Sequence, residues 1–340
     1  MNILHLIGNG FDVNLDMKTS YADFYKHYVA LPSASEVISK LKVDIARYRE
    51  SNKWSDLEKG LGLYTTELKT VDEVYQIYFD INDELKAYLI HQMEKASLSE
   101  LKYAEKLKHD LSMPYFYFPL RNQRVLVNYM NPGALSNDTV NIITYNYTDT
   151  IEKVLNVKTK NISLELSKKN QQGYQRVLQS INHIHGTIYD TELILGVNDV
   201  SQIANESFRS NEQVLDMLVK PTTTVNRGDL TDDHCTRLIQ ESDMICLFGL
   251  SLGETDNKWW AAIAERMKLS KSQIIYYAYC RDDIRHSQDR WNKEREYRRM
   301  LIDIFMSQDI APDNLESRIH VLVNSNRRSE ERRVGKECRS

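Results

Sequence analysis

The sequence predicts an α/β protein with a parallel sheet, helices on both faces of that sheet, and a large helical insertion. Apolar, β-branched-rich runs that end at turn residues indicate buried strands. Here they are NILHLIG (2–8), VNIITYN (140–146), SINHIHG (180–186), ELILGV (192–197), DMICLFGL (243–250), QIIYYAYC (273–280) and RIHVLV (318–323). Most are too uniformly apolar for a sheet with one face in water, which favours parallel strands covered on both sides.

A long helical region separates the first two of these runs. Apolar side chains recur there at spacings of three and four, as on the buried face of a helix: Val74, Ile77, Tyr78, Ile81, Leu85, Tyr88 and Leu89. Ser33 and Glu36 have the spacing of a capping box before another helix. We therefore expect an α/β core of residues 1–30 and 136–326, with residues 31–135 as the helical insertion.

The last thirteen residues, RSEERRVGKECRS (328–340), read like the translation of a common sequencing adapter. We expect this segment to be an artefact and exclude it from reasoning about the fold. The cysteines that remain are Cys235, Cys246 and Cys280, without a CxxC pair. This pattern argues against a disulfide framework and against a cysteine zinc site.

Composition is that of an ordinary globular protein, with 41% hydrophobic and 27% charged residues in 340. No apolar run approaches the length of a membrane span, and no signal peptide is recognisable. We expect a cytoplasmic protein that does not act at a membrane. The net charge of −4 argues against binding nucleic acid through bulk electrostatics.

Four polar stretches follow predicted strands: GNGFD (8–12), TYNYTDT (144–150), NHIHG (182–186) and LFGLSLGETD (247–256). Ligands of open parallel sheets bind at the carboxyl ends of the strands, so these stretches are expected to converge. Gly8 and Gly10 would let the backbone approach a phosphate. Each stretch also has a structural reading, as a turn or as a helix cap at Thr148, Asp149 or Asp256.

Asn146 and His185 are the strongest candidates for chemistry. A carboxamide at a strand end both donates and accepts hydrogen bonds, and an imidazole suits acid–base work near neutral pH. His183 and His185 share one face of a strand, but no further set of ligands accompanies them. We read His183 as a buried, hydrogen-bonded histidine and expect no metal.

The order of motifs adds a resemblance over nearly the whole chain. GNGFD, TSYADF (19–24), WSDLE (54–58), YNYTDT, IHG and FGLSLGETD together resemble the AbiH family of phage abortive-infection proteins. The same order is more distantly similar to the sirtuins and sirtuin-like antiphage effectors. That similarity implies a Rossmann-like, sirtuin-like sheet that binds NAD.

The sirtuin-like motifs match short stretches of this sequence. The glycine-rich first turn resembles Gly8-Asn9-Gly10, and Gln-Asn-Ile-Asp resembles residues 145–148, with Thr148 in place of the aspartate. His-Gly resembles residues 185–186, and Gly-Thr-Ser-Leu resembles residues 249–252. The paired cysteines of the sirtuin zinc module are absent from the sequence, so we do not expect protein deacetylation.

The resemblance implies that Asn146 and His185 act at the nicotinamide ribose, with His185 as general base. The residues expected to bind the nucleotide are Gly8, Asn9, Gly10, Asp12, Ser20, Thr148, Gly249, Ser251 and Asp256. The leading hypothesis is therefore an antiphage enzyme that cleaves the nicotinamide–ribose bond of NAD.

Two alternatives stay open. The same site could bind NAD or ADP-ribose as a signal without cutting it, and the replacement of the sirtuin aspartate by Thr148 favours this reading. A metal-dependent nuclease would need clustered acidic ligands, for which Asp12, Asp149, Asp199 and Asp256 are available. The sequence leaves open a phage-derived trigger and a homo-oligomer as partners.

Overall fold

The computed structural model describes residues 1–48, 53–98, 101–130, 137–158, 162–168, 175–228, 230–253, 256–282, 284–308 and 315–324. Within them the chain forms a seven-stranded, mostly parallel sheet. Its strands are β1 (Asn2–Ile7), β2 (Asp138–Thr144), β3 (Leu164–Glu165), β4 (Arg176–His183), β5 (Met244–Phe248), β6 (Gln273–Ala278) and β7 (Ile319–Val323). Six of the seven predicted runs overlap these strands, although β2 and β4 begin before the predicted runs, and only the two-residue β3 was not predicted.

The described helices are numbered in their order along the chain. They are α1 (Gly10–Asn14), α2 (Tyr21–Tyr28), α3 (Glu36–Tyr48), α4 (Leu57–Tyr64), α5 (Val71–Lys95), α6 (Leu101–Ser112), α7 (Leu120–Met130), α8 (Thr150–Leu155), α9 (Glu212–Leu218), α10 (Lys220–Asn226), α11 (Thr231–Glu241), α12 (Asn257–Leu269), α13 (Ser287–Met306) and α14 (Leu315–Arg318). Short 3₁₀ helices span Thr65–Glu67, Val200–Gln202 and Glu206–Phe208.

The sheet has the strand order β3-β4-β2-β1-β5-β6-β7, and only the β3–β4 pair is antiparallel. Counted along the chain, its six parallel strands are therefore arranged 3-2-1-4-5-6. The order reverses at β1, which has β2 on one side and β5 on the other. In open sheets this switch point opens a crevice at the carboxyl ends of the strands.

Helices pack on both faces of the sheet. Successive side chains of a strand point to opposite faces, and β1 follows this rule. Leu4 and Leu6 enter a core with α11, α12 and α13, whereas Ile3 and Ile7 enter a second core with α7 and α8. The near-continuous apolar pattern of the strands is explained by this double coverage.

Helices α3 to α7 lie between β1 and β2 in the sequence, where the helical insertion was predicted. All seven residues of the predicted apolar stripe are buried on α5. The expected cap at Ser33 is wrong: α3 begins at Glu36, and the Oγ of Ser35 accepts a hydrogen bond from the amide of Ile38 at 3.4 Å. The division into a core and an insertion stays a prediction.

The predicted strand ELILGV (192–197) is wrong. Leu193, Leu195 and Val197 are fully buried, but in a core with α5 rather than in the sheet. The backbone makes one isolated parallel bridge, between Val197 and Val219. An apolar run of this length records burial and cannot by itself identify a strand. The adapter-like segment 328–340 lies outside the described residues.

Candidate functional site

A cavity of about 730 Å³ opens at the carboxyl edge of the sheet, next to the switch point. We call it the strand-end cavity. Its walls come from the turns after β1, β2, β4 and β5, together with residues of α2, α4 and α5 and the segments before α2 and α4. Its size falls in the range of small-molecule and cofactor sites.

The structure brings together residues that the sequence singled out in separate stretches. Those lining the cavity are Gly8, Asn9, Asp12, Ser20, Asn146, Thr148, His185, Gly249, Ser251 and Asp256. Gly10 lies in the same first turn but does not line the cavity. Their roles in binding and catalysis stay predictions, because no ligand is present.

The glycines of the first turn have a structural explanation. A Cβ atom on Gly8 would lie 2.6 Å from the carbonyl oxygen of Gly249, and one on Gly10 would lie 2.5 Å from the Cα of Gly249. The amides of Gly8 and Gly10 donate to the carbonyls of Phe248 and Gly249, both at 2.9 Å. Glycine is thus required where the turns after β1 and β5 touch, and these two amides already have partners.

Asn9 and Ser20 are also held within the protein. The Asn9 carboxamide donates to the Thr19 carbonyl at 3.0 Å and accepts from the Thr19 hydroxyl at 2.6 Å. The Ser20 hydroxyl caps α2, accepting from the Asp23 amide at 3.2 Å and donating to its carboxylate at 2.6 Å. Both side chains shape the wall of the cavity that precedes α2.

Asp12 is the centre of a buried hydrogen-bond network. Its carboxylate accepts from Asn146 Nδ2 at 3.1 Å and from the Thr148 hydroxyl at 2.5 Å. Burial raises the pKa of Asp12 to about 6, although these donors act in the opposite direction. Because Nδ2 is committed to Asp12, the amide of Asn146 has a fixed orientation. Its Oδ1 is buried and has no hydrogen-bond partner within the described part of the chain.

His183 contacts the backbone of Asn146 and the side chain of Glu152. Its Nδ1 lies 2.9 Å from the Asn146 carbonyl oxygen and its Nε2 lies 2.7 Å from Glu152 Oε1, so a protonated ring donates to both. Burial lowers the pKa of His183, but the hydrogen bond and charge of Glu152 outweigh burial and raise it above the usual value. His183 is therefore a buried, hydrogen-bonded histidine, as the sequence predicted.

A second cluster at the cavity is ionic. Lys220 Nζ donates to Glu58 Oε2 at 3.0 Å, to Asp256 Oδ1 at 3.2 Å and to His185 Nε2 at 3.4 Å. Glu58, Lys220 and His185 are 4%, 6% and 7% exposed. Burial raises the pKa of Glu58 and of Asp256, and the ammonium of Lys220 opposes both shifts.

Burial, reinforced by the ammonium of Lys220, keeps His185 neutral. Burial lowers the pKa of His185 well below its usual value, and the charge of Lys220 acts in the same direction. Burial also lowers the pKa of Lys220, but the charges of Glu58 and Asp256 outweigh it and raise that pKa above the usual value. His185 is accordingly an uncharged imidazole whose Nε2 faces a charged ammonium.

The wrongly predicted strand explains how Lys220 reaches this cluster. The Val197 amide donates to the Leu218 carbonyl at 2.7 Å, and the Lys220 amide donates to the Val197 carbonyl at 2.9 Å. Gly196 permits this contact, since its φ is +142° and a Cβ atom there would lie 2.2 Å from the Leu218 carbonyl oxygen. The bridge fixes the start of α10 beside Glu58.

Glu58 and Lys220 were not among the predicted site residues. Glu58 does belong to the WSDLE motif, and the carboxylate of Asp56 caps α4 by accepting from the amides of Glu58 and Lys59. A glutamate within this motif, at the start of a helix that is otherwise largely apolar, was a usable signal. Lys220, the first residue of the short helix α10, had no comparable signal in the sequence.

The expected helix caps at Asp149 and Asp256 are wrong in detail. Both residues occupy the N-cap position of the next helix, but neither side chain caps the backbone. Asp149 pairs with Lys153 at 3.2 Å and accepts from the Tyr189 hydroxyl at 3.1 Å. Asp256 pairs with Lys220 instead, so its carboxylate faces the cavity.

The four aspartates considered as metal ligands are not brought together. Asp12 and Asp256 line the cavity, whereas Asp149 is engaged with Lys153 and Asp199 caps a 3₁₀ helix. Within the described residues, no group of three or more His, Cys, Asp or Glu side chains is arranged to hold a metal ion. The geometry therefore gives the nuclease alternative no support.

Comparison with known proteins identifies the family. The profile of the bacteriophage abortive infection AbiH family matches residues 4–278, which is most of the chain. The chain belongs to the AbiH family. It is accordingly an abortive-infection antiphage protein, and the resemblance to AbiH is confirmed. A search of curated proteins found no significant match. In the part of the chain that the structure describes, no helix is long and apolar enough to cross a membrane.

Proposed function

We propose that the strand-end cavity of this AbiH protein binds the nicotinamide end of NAD, and that the protein cleaves the nicotinamide–ribose bond during phage infection. The observation that carries the proposal is Asn146, which lines a nucleotide-sized cavity and whose buried Oδ1 has no hydrogen-bond partner among the described residues. A buried unsatisfied acceptor is costly unless a ligand or water completes it. A ribose hydroxyl is a suitable donor.

The topology supports a dinucleotide as the ligand. The parallel strand order 3-2-1-4-5-6 is that of Rossmann-like sheets, which bind dinucleotides at the switch point. The resemblance to sirtuins assigns the same edge to NAD. Because the amides of Gly8 and Gly10 are occupied, we assign the diphosphate to the exposed side of the cavity, near Ser251 and Arg281.

Asp12 compensates for a departure from the sirtuin pattern. That pattern has an aspartate where this chain has Thr148, but the Thr148 hydroxyl lies 2.5 Å from the carboxylate of Asp12. A carboxylate is therefore present at nearly the same place, supplied by the first turn. It orients Asn146 as well, which makes Asp12 a positioning residue in the proposed site.

The proposed reaction is hydrolysis. The bond between ribose C1′ and the nicotinamide nitrogen breaks, and its electron pair neutralises the pyridinium. A water oxygen then bonds to C1′ and loses a proton. A neutral imidazole can accept that proton, and base catalysis of this kind contributes about a hundred- to ten-thousand-fold in rate. His185 is neutral, as this role requires.

One contact favours the alternative of binding without cleavage. The Nε2 lone pair of His185, which would accept the proton, faces Lys220 Nζ at 3.4 Å. If this contact persists with ligand bound, His185 cannot act as a base. The protein would then be a sensor of NAD or ADP-ribose. A 3.4 Å contact is longer than an ordinary hydrogen bond, and catalytic geometry often tightens only when substrate is bound.

The experiment follows NAD by mass spectrometry in phage-infected cells that express the wild type, His185→Ala or Ser251→Trp. Ser251 is exposed at the cavity, so a tryptophan there fills it without disturbing the core. Ser287→Trp, exposed and outside the cavity, is the matched control. We expect NAD to fall with the wild type and the control, and to persist with both cavity variants, which also lose protection.

The outcomes separate the two functions. Protection that survives His185→Ala but not Ser251→Trp would favour the sensor. If NAD persists in protected wild-type cells throughout infection, cleavage is excluded. If Ser251→Trp protects cells as well as the wild type does, the cavity has no part in defence and both versions of the proposal fail.

A further inference from the structure

The contact between Lys220 and His185 involves the nitrogen that the proposed reaction needs. A neutral imidazole has one nitrogen that donates a hydrogen bond and one that accepts. Nε2 of His185 lies 3.4 Å from Lys220 Nζ. Because an ammonium can only donate, Nε2 is the accepting nitrogen. The lone pair that would take the proton from water is therefore directed at a cation of the protein itself.

Lys220 is held in this position by all three of its donors. They meet Glu58 Oε2 at 3.0 Å, Asp256 Oδ1 at 3.2 Å and His185 Nε2 at 3.4 Å. These three acceptor residues line the strand-end cavity, whereas Lys220 does not. The lysine thus affects the site through His185 and its neighbours rather than by lining the space where a ligand would bind.

The lysine and the histidine belong to different parts of the fold. His185 follows β4, which is paired with β2 in the sheet. Lys220 is the first residue of the seven-residue helix α10, and its amide donates to the carbonyl of Val197 at 2.9 Å. Val197 packs in the core with α5 and not in the sheet. A displacement of α10 would therefore withdraw the ammonium and leave His185 in place.

Asp256 would remain next to His185 after such a withdrawal. Its Oδ1 lies 3.7 Å from His185 Nε2. An ionised carboxylate is an acceptor, so it does not occupy the lone pair, but it stabilises the imidazolium that forms when the ring takes up a proton. Without the ammonium, the same histidine has a vacant accepting nitrogen and a counter-ion beside it.

We propose that Lys220 is an inhibitory latch, a residue whose contact with Nε2 prevents His185 from accepting a proton until infection withdraws it. The inference rests on the proposed cleavage of NAD and adds its regulation. An abortive-infection protein that consumed NAD continuously would harm uninfected cells, so a protein of this kind needs an inactive resting state. The Lys220–His185 contact supplies that state.

Lys220→Met removes the ammonium and keeps a side chain of similar length. Without phage or trigger, we expect the purified variant to hydrolyse NAD about a hundredfold or more faster than the wild type, since a general base contributes about this much or more. Lys42→Met is the matched control. Lys42 is also 6% exposed, but its ammonium binds the carbonyls of Leu31 and Pro32 and does not line the cavity. It should hydrolyse NAD at the wild-type rate.

Two double variants complete the test, with circular dichroism to establish which proteins are folded. His185→Ala/Lys220→Met should lose the added activity, because the freed nitrogen is no longer present. Glu58→Gln/Lys220→Met removes a carboxylate together with the ammonium, so less uncompensated charge stays buried. It should show the same increase in rate, and it replaces Lys220→Met if that variant does not fold.

Each outcome supports or overturns the latch. A folded Lys220→Met that is no faster than the wild type overturns it, and so does an increase that survives His185→Ala. If neither Lys220 variant folds, the latch is also overturned, since a latch must leave His185 without unfolding the protein. The proposed cleavage is tested separately: if wild-type cells keep their NAD throughout infection, that cleavage fails and the inference fails with it.

Discussion

The two sides of the strand-end cavity are held in place by different interactions. On the side of β1 and β2, Asn146 and Thr148 donate to one carboxylate, that of Asp12. On the other side, the ammonium of Lys220 binds Glu58 and Asp256, which come from segments far apart in the chain. The first side joins polar groups that immediately follow two adjacent strands, whereas the second depends on tertiary packing.

This difference has an energetic consequence. A neutral hydrogen-bond donor that loses its partner costs about 1–3 kcal/mol when it is buried. A buried charge that loses its partner costs about 3–5 kcal/mol, because the remaining ion stays out of water without compensation. We therefore expect the ionic side to be the more sensitive to single substitutions.

The largest effect is expected from Lys220→Met. It leaves the carboxylates of Glu58 and Asp256 buried without their ammonium, so the free energy of unfolding should fall by about 3–5 kcal/mol. Urea denaturation at pH 7 measures this. Lys59→Met, at an exposed position on the same cavity, should change it by less than about 0.5 kcal/mol.

The double variant Glu58→Gln/Lys220→Met sharpens this prediction. Removing one carboxylate together with the ammonium should recover part of the loss, so the two substitutions should not be additive. If Lys220→Met costs less than about 1 kcal/mol, the ionic side does not depend on its ammonium and the contrast between the two sides disappears.

The second prediction concerns pH and the hydrogen-bonded side. The pKa of Asp12 is raised from 3.8 to about 6, so the folded protein binds a proton there more tightly than the unfolded chain does. Its stabilising effect is therefore complete below about pH 4 and is lost as the pH rises through about 6. Relative to Asp12→Asn, the wild type should lose about 2–2.5 kcal/mol of unfolding free energy between pH 4 and pH 7.

Urea denaturation of both proteins across this pH range gives the difference directly, because the other titrating groups cancel. A difference that is flat with pH would mean that Asp12 titrates as in the unfolded chain, in which case burial does not dominate its environment. If the wild type instead becomes more stable relative to Asp12→Asn as the pH rises, the pKa of Asp12 is lowered in the folded protein. The hydrogen-bond donors would then stabilise its carboxylate more than burial destabilises it.

The strand ends could be predicted because parallel strands present their carboxyl ends at one edge. GNGFD, YNYTDT and IHG each follow an apolar run within a few residues, so placing the strands also places Asp12, Asn146 and His185. The prediction of ELILGV as a strand was wrong because an apolar run indicates that a segment is buried, but not which element it is buried against. The other apolar runs were predicted on the same basis, and they do lie in the sheet.

The ionic side could not be predicted in this way. Lys220 is positioned by a backbone bridge to Val197 that depends on Gly196 and on the packing of α5 and α9. Periodicity contains no information about such a contact. The first-turn glycines show a related limit of sequence-based prediction. The Gly-x-Gly pattern suggested that a phosphate approaches the backbone, whereas the structure shows that Gly8 and Gly10 are needed for the close approach of Gly249.

The third prediction tests the contact that joins the turns after β1 and β5. Gly249 has φ of +67°, and a Cβ atom there would lie 2.8 Å from the Cα of Gly10. Gly249→Ala should therefore cost about 2–3 kcal/mol, from backbone strain and from the clash together. Thermal and urea unfolding measure the loss.

Gly228→Ala is the matched control for this clash. Gly228 has a similar φ of +64°, but no atom lies within 4 Å of its Cβ position among the described residues. It should cost only about 1–2 kcal/mol, the penalty of the left-handed conformation itself. Equal losses for the two variants would show that the turns do not touch as closely as the structure indicates.

The smallest effect is expected from Ser20→Ala, which separates a structural role from a ligand-binding role on the hydrogen-bonded side. Ser20 caps α2 through Asp23, so its loss should lower the unfolding free energy by about 1 kcal/mol, and Ser20→Thr should retain most of it. Affinity for a non-hydrolysable NAD analogue should not change, because the hydroxyl is already committed within the protein. Weaker binding by Ser20→Ala at unchanged stability would instead assign Ser20 to the ligand, as the sequence alone predicted.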